Sequence, residues 1–187
     1  MKFMQLKKLI VPGQHGFVPN KACVTNLLET LDKITGAIRK GHSVDLVLLD
    51  FAKAFDKVSH AKLIQKLEAC GINNILVKWI KAFLTDRKQR VLIGDNSSEW
   101  EDVTSSVPQG SVLGPLLFTI FINDLPGKIK HECRLYADES KLIGVIDTQR
   151  DFDSMQSWEK TWQMTFNYDK CKVIHTLVRK IGSKRIR

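Results

Sequence analysis

Two short apolar runs that each end in acid constrain this 187-residue chain more than anything else in it. Val44 to Leu49 closes on Asp50 in VDLVLLDFAKAFD, and Arg134 to Ala137 closes on Asp138-Glu139 in RLYADESKLIG. β-branched and leucine residues in runs of this length predict buried strands. A strand end or tight turn holds a carboxylate rigidly. Carboxylates brought together repel one another unless a cation sits between them. Hard oxygen ligands at few positions suit Mg²⁺, which keeps waters and completes its shell with substrate phosphates. The chemistry this pattern suggests is two-metal phosphoryl transfer on a nucleic acid.

The charge balance agrees with a polyanionic partner. Lys and Arg number 29 against 20 Asp and Glu, a net charge of +9. Such an excess favours nucleic acid, although a solvated basic surface gives the same balance. Cysteines at 23, 70, 133 and 171 show no CxxC and no paired histidine spacing. They read as reduced packing thiols of an intracellular protein, nuclear or cytoplasmic and not secreted, and zinc is not expected. The apolar stretch near the N-terminus is too short for a signal peptide. The longest apolar run, VLGPLLFTIFI, is about half a membrane span and contains Gly114 and Pro115, so it reads as a buried helix and no membrane partner is expected.

The periodicities predict an α+β fold: an antiparallel sheet with helices on one face. There is no internal repeat and no low-complexity tract. Val24, Leu27, Leu28, Leu31, Ile34 and Ile38 form an amphipathic stripe that Gly41 stops. Ser59 is placed to cap a helix carrying Leu63, Ile64 and Leu67. Ile75, Leu76, Trp79, Ile80 and Phe83 make a further stripe. Gln89 to Ile93, the turn GDNSS and Trp100 to Val107 read as a hairpin. Pro115 to Asp124 reads as a helix closed by Pro126. A second hairpin turns at Asp138-Glu139 and returns along Lys141 to Ile146. Met155, Trp158, Trp162 and Phe166 share a helical face, and Cys171 to Leu177 forms a last strand.

Each chemical element has an ordinary structural alternative. Asp50 fits a helix N-terminus, where acids complement the macrodipole. Asp138-Glu139 fits a solvated turn. The loop Val107-Pro108-Gln109-Gly110-Ser111-Val112-Leu113-Gly114-Pro115 fits a structural turn, or a backbone that a base or sugar approaches closely at Gly110 with a phosphate at the helix N-terminus beyond. Their order is more specific than any one of them: strand-Asp with a downstream aromatic, then Pro-Gln-Gly, then aromatic-Ala-Asp-acid.

In that order the chain resembles the reverse transcriptase of non-long-terminal-repeat retrotransposons, in the jockey and chicken-repeat group. The stretches that carry the resemblance are QHGFVPNKACVTNLL, VDLVLLDFAKAFDKVSH, KLIQKLEACGI, WIKAFLTDRKQRVLI, SEWEDVTSSVPQGSVLGPLLFTIFINDLP, RLYADESKL and WQMTFNYDKCKVIH, together most of residues 14–175. The resemblance implies the palm and part of the fingers of a right-hand polymerase that copies RNA into DNA. It implies two Mg²⁺ ions, with Mn²⁺ as a substitute, and an RNA template, a DNA primer and deoxynucleoside triphosphates as partners. By the same resemblance Asp50 and Asp138 are the metal ligands, with Glu139 beside them as the second acid of the catalytic set. The main-chain carbonyl of Phe51 faces the metal, Phe55 screens the 2′-hydroxyl of the nucleotide, and Gln109 and Gly110 lie against template and nucleotide. Lys170 or Lys172 faces the leaving pyrophosphate.

The chain departs from the family pattern at two positions. Glu139 replaces the usual second Asp, which adds a methylene to a carboxylate near ions that demand near-ideal geometry. Ser106 replaces the usual Gly before Val-Pro-Gln-Gly, at a strain cost if that position requires a positive φ. The expected organisation is a truncated fingers segment at 1–13, partial fingers and palm at 14–177, and a basic tail at 178–187. The first fingers segments, thumb and endonuclease of the family fall outside it. These features leave open a catalytically inactive remnant or a co-opted nucleic-acid-binding fragment.

Overall fold

The computed structural model of the chain describes residues 9–144 and 149–176. Its centre is a four-stranded antiparallel sheet in the order β6-β7-β1-β8, formed by β1 (Val44–Asp50), β6 (Glu132–Tyr136), β7 (Glu139–Gly144) and β8 (Lys172–Thr176). The central strand β1 pairs with β7 from Asp45↔Gly144 to Asp50↔Glu139, and with β8 from Val44↔Thr176 to Leu48↔Lys172. Side chains alternate between the two faces of a strand, so this register sorts the sheet by chemistry. Val47, Leu142 and Cys133 form one row on the packed face, continued by Leu49, Ser140 and Leu135. The opposite face carries Leu48 with Lys141 and Lys172, then Asp50 with Glu139.

Helices α2 (His60–Ala69), α3 (Asn74–Leu84), α4 (Leu113–Ile122) and α5 (Gln149–Trp162) supply the rest of the core. The run read as a buried helix is α4, in which Leu117 through Ile122 are all buried. Its Phe118 and Phe121 are fully buried in the core cluster that also holds Leu63, Leu67, Val77, Ile80, Leu84 and Trp158. Truncating a phenylalanine in such a site costs roughly 3–5 kcal/mol. Among the described residues no helix is long and apolar enough to cross a membrane.

The structure corrects several sequence expectations. Helix α1 (Cys23–Arg39) turns its leucines outward: Val24 is 63% exposed and Leu28 59%, while Asn26 and Thr30 are buried. It lies beside the polar face, where Lys141 donates to Asn26 Oδ1 at 2.7 Å and Arg134 pairs with Glu29 at 3.1 Å. Helices therefore flank the sheet on both faces, not one. In α3 the buried residues are Val77, Ile80 and Leu84, and Ile75, Leu76 and Trp79 are exposed. Ser59 stands at the N-cap of α2 without a side-chain capping bond, held by a bridge to Ser105. The first hairpin divides into two small ladders, β2 (Lys88–Gln89) with β5 (Glu101–Asp102) and β3 (Leu92–Ile93) with β4 (Asn96–Ser97). Helix α4 begins earlier than Pro115, and Pro126 opens a 3₁₀ turn to Lys128. Helix α5 ends at Trp162, so Phe166 leaves it and bridges to Phe51. The second hairpin turns at Ala137-Asp138, and Glu139 is already the first residue of β7. The expected end of that hairpin at Ile146, the end of β8 at Leu177, the segment 1–8 and the tail 178–187 lie outside the described residues.

Candidate active site

Asp50 and Glu139 are direct cross-strand partners, so the two acidic clusters meet at one end of the sheet with Asp138 in the adjoining turn. Asp50 Oδ2 is buried and makes no hydrogen bond among the described residues. Lys170 Nζ lies 3.1 Å from it, within ion-pair range but off hydrogen-bonding alignment. Lys172 comes to the same hollow from β8. Together Leu48, Asp50, Glu139, Lys141, Lys170 and Lys172 border an open cavity of about 330 Å³. Lys170 is the lysine in contact with Asp50, and Lys172 stands beside it.

The backbone around Asp50 is fixed from both ends. The Asp50 carbonyl accepts from Asn167 N–H at 2.7 Å, and Ala52 N–H donates to the Thr165 carbonyl at 2.8 Å. Phe51 is buried beneath the sheet, its ring stacked on Phe166 at 4.5 Å and beside Trp158 at 5.8 Å. That packing holds the main chain of Phe51 beside the acids. The α5-to-β8 connection thereby carries both the clamp on Asp50 and the lysine that faces it.

The Pro-Gln-Gly loop docks on the segment after β1. Val107 N–H donates to the Phe55 carbonyl at 3.0 Å and Ser106 N–H to the Val58 carbonyl at 2.9 Å. Gln109 Nε2 donates to Asp56 Oδ1 at 2.9 Å, which brings Asp56 into the loop's support. Phe55 stacks on Phe118 at 4.6 Å and meets the edge of Phe17 at 6.3 Å. Gly110 adopts φ 78 and Ser106 φ 102, both in the left-handed region. The Ser106 carbonyl accepts from His60 Nε2 at 2.8 Å and from Arg87 at 3.2 Å, which holds the strained turn in place. The positive φ that sequence reasoning made conditional at Ser106 is present.

The donor chemistry fits a hard divalent cation: Asp50 offers a buried oxygen with no hydrogen bond, and Asp138 adjoins its cross-strand partner. Among the described residues, no three His, Cys, Asp or Glu side chains gather into a cation-sized group. Asp50, Asp138 and Glu139 thus do not form one three-acid cluster, and Glu139 is exposed. One or two carboxylates, with phosphate and water completing the shell, is the ordinary Mg²⁺ pattern.

A sequence profile described as "Reverse transcriptase (RNA-dependent DNA polymerase)" matches residues 1–185. The chain belongs to this family. Its relatives include the RNA-directed DNA polymerase from mobile element jockey of Drosophila melanogaster, 30% identical over 151 residues, covering 72% of this chain and 16% of the relative. The jockey polymerase of Drosophila funebris is 28% identical over 183 residues, covering 89% of this chain and 20% of the relative. The chain therefore spans a fifth or less of these curated relatives. In fold it is similar to apo telomerase from Candida tropicalis, with a TM-score of 0.70 at 11% identity, over 92% of this chain and 36% of that one. The chain is a reverse transcriptase domain of the non-long-terminal-repeat retrotransposon kind.

Sequence reasoning missed two polar features of this reverse transcriptase domain. Gln14 and His15, quoted only as part of a matching stretch, are buried against the Asp138 hairpin. Lys66 is buried among Phe121, Trp158 and Trp162, with its ammonium 3.7 Å from the Trp162 ring centre. It donates to Asp124 Oδ1 at 2.5 Å and to the Phe121 carbonyl, and Trp158 Nε1 donates to the same Asp124 oxygen at 3.0 Å. Burial pulls the Lys66 ammonium down to about 8 despite the Asp124 carboxylate. The only sequence signal for it is a lysine on the buried face of α2, between Leu63 and Leu67.

Proposed function

We propose that this chain is the palm and part of the fingers of an RNA-directed DNA polymerase, with Asp50 and Asp138 as its ligands for divalent metal. The observation that carries the reading is the Asp50↔Glu139 register, which sets Asp138 at the same sheet end as the buried, unbonded oxygen of Asp50. Two Mg²⁺ ions, when bound, would stabilise charge on the attacking and leaving oxygens of a nucleotidyl transfer. The residues of the chain do the positioning. Asp50 and Asp138, with the main-chain carbonyl of Phe51, hold the cations. Phe55, backed by Phe118, presents its ring to the sugar and screens a 2′-hydroxyl. Gln109 and Gly110 lie against template and nucleotide, and Lys170 turns from Asp50 to the leaving pyrophosphate. An RNA–DNA duplex is roughly A-form and is held through backbone and 2′-hydroxyl contacts.

A second reading, a remnant or co-opted nucleic-acid binder, is favoured by Ser106 at φ 102 and by Glu139 in place of the family's Asp. Primer extension on an RNA template with Mg²⁺ tests both. The 187 residues are expected to retain template–primer at low salt but to extend it poorly, because they span a fifth or less of the polymerases they match. Glu139→Asp alone is not expected to restore extension. Robust extension by the unmodified chain would overturn the remnant reading, and failure to retain RNA at low salt would count against both.

A further inference from the structure

The segment before α1 is a strap that runs along β6 to the turn at Asp138, and the polymerase reading above gives it no role. Gly13 to Gly16 run beside the outer edge of β6. Leu135 N–H donates to the Gly13 carbonyl at 2.9 Å, His15 N–H returns to the Leu135 carbonyl at 2.9 Å, and Gln14 bridges Leu135 in parallel. The strap then folds over the turn that precedes Asp138. The Gln14 side chain is 0% exposed. Its Oε1 accepts from Gly16 N–H at 2.7 Å and from Ala137 N–H at 3.3 Å, while its Nε2 is buried without a partner among the described residues. A Cβ on Gly16 would run into the backbone of Ala137.

Ala137 needs such a clamp. Its φ of 54 is left-handed, a conformation that a residue with a Cβ keeps only when its surroundings impose it. Ala137 directly precedes Asp138, so its backbone angles set the direction in which the Asp138 side chain leaves the turn. The strap is anchored at its far side by His15, whose Nδ1 bonds the Thr25 hydroxyl at 2.9 Å and whose Nε2 lies 3.3 Å from Glu29 on α1. It continues into Phe17, whose ring edge abuts Phe55. One short segment thus touches both the acid-bearing turn and the aromatic assigned to the sugar. A buried carboxamide that leaves an N–H₂ group unbonded is destabilising by itself, and what it supplies in return is the oxygen that holds Ala137.

We infer that Gln14 is a positioning residue: with Gly16 it locks the Ala137 turn and so fixes the carboxylate of Asp138 for metal. The inference rests on the reading of Asp138 as a metal ligand. Its test has one readout that needs no metal and one that does: amide hydrogen exchange at Ala137, and Mn²⁺ affinity by electron paramagnetic resonance. Gln14→Met keeps the length and removes the acceptor. Gly16→Ala pushes on the turn from the other side, so the question stays answerable if one variant folds poorly. Thr30→Val is the control, removing a buried hydroxyl of α1 that bonds the Asn26 carbonyl. Both strap variants should speed exchange at Ala137 by about tenfold, the value of one hydrogen bond, and leave Leu142 unchanged. Mn²⁺ affinity should fall about tenfold or more, as for other supports of metal ligands, and Thr30→Val should alter neither readout. Unchanged exchange at Ala137 in both strap variants, or an equal loss in Thr30→Val, would overturn the inference. Faster exchange at Ala137 in the strap variants of a parent chain that binds no Mn²⁺ would overturn the metal reading and the positioning role with it.

Discussion

The Lys170 ammonium lies 3.1 Å from Asp50 Oδ2, so a cation of the chain stands where a metal ion would compete for the same oxygen. Lys170 is 68% exposed, so water and salt screen the pair and a metal displaces it easily. Lys170→Met should therefore strengthen Mn²⁺ binding by about two- to fivefold, the range expected for an exposed ion pair. Lys172→Met, which leaves that pair intact, should have the smaller effect. Titration with Mn²⁺ checks this, and weaker binding in Lys170→Met would show that Lys170 supports the ion site instead of competing for it.

Ser106 holds φ 102 in a turn fastened by His60 and Arg87. Glycine adopts that backbone without the Cβ penalty but loses more chain entropy on folding. Ser106→Gly should stabilise the chain by about 1 kcal/mol net. For a chain of this size that raises the melting temperature by about 2–4 °C. A lower melting temperature would mean that the turn is not strained.

Lys66 gives the stability a pH dependence of known sign. Its folded pKa of about 8 lies below the model-peptide value of 10.5. Between those values the unfolded chain binds the extra proton, so the Lys66 contribution to stability rises with pH across that window and is flat below it. Cys133, pushed up to about 12 by burial, acts oppositely above the ordinary thiol range. The difference between the parent and Lys66→Met reports the lysine together with its coupling to the Cys70 thiol, whose pKa Lys66 lowers. The parent should gain on the order of 2–3 kcal/mol relative to Lys66→Met between pH 7.5 and 10.5 in urea unfolding. A constant difference would contradict the burial of Lys66 as the cause.

Binding to RNA or an RNA–DNA hybrid should be tolerant of sequence and sensitive to salt, given the net charge of +9. The logarithm of affinity should fall linearly with the logarithm of salt, by about 0.7–0.9 per phosphate contacted. Fluorescence anisotropy between low and high salt reads the slope, and a flat response would rule out the electrostatic mode.

What the sequence made legible is instructive in detail. Val44 to Asp50 was readable because β-branched and leucine residues in a strand-length run have few alternatives, and α4 because its run is apolar throughout. The faces of α1 and α3 were not. The leucine stripe of α1 carries the stronger periodic signal, yet the helix meets the sheet through Asn26 and Thr30, whose bonds to Leu135 and within α1 leave no trace in a hydrophobic pattern. Glu139 was read as half of a turn because acids favour turns. The hairpin instead closes one residue earlier, through the left-handed Ala137, and Glu139 joins β7. The order of the chemical motifs was legible, while the strap that supports them was not, since its contacts run through backbone groups and one carboxamide.

The central claim is that Asp50 and Asp138 together hold divalent metal at the end of the sheet. Mn²⁺ titration of the full chain by electron paramagnetic resonance tests it most directly, with Asp50→Asn, Asp138→Asn and Glu139→Gln beside the parent. The account predicts that the parent binds, that each Asp variant loses about tenfold or more in affinity, and that Glu139→Gln, altering an exposed residue outside the ligand pair, loses much less. Equal Mn²⁺ affinity in the parent and in both Asp variants would contradict it.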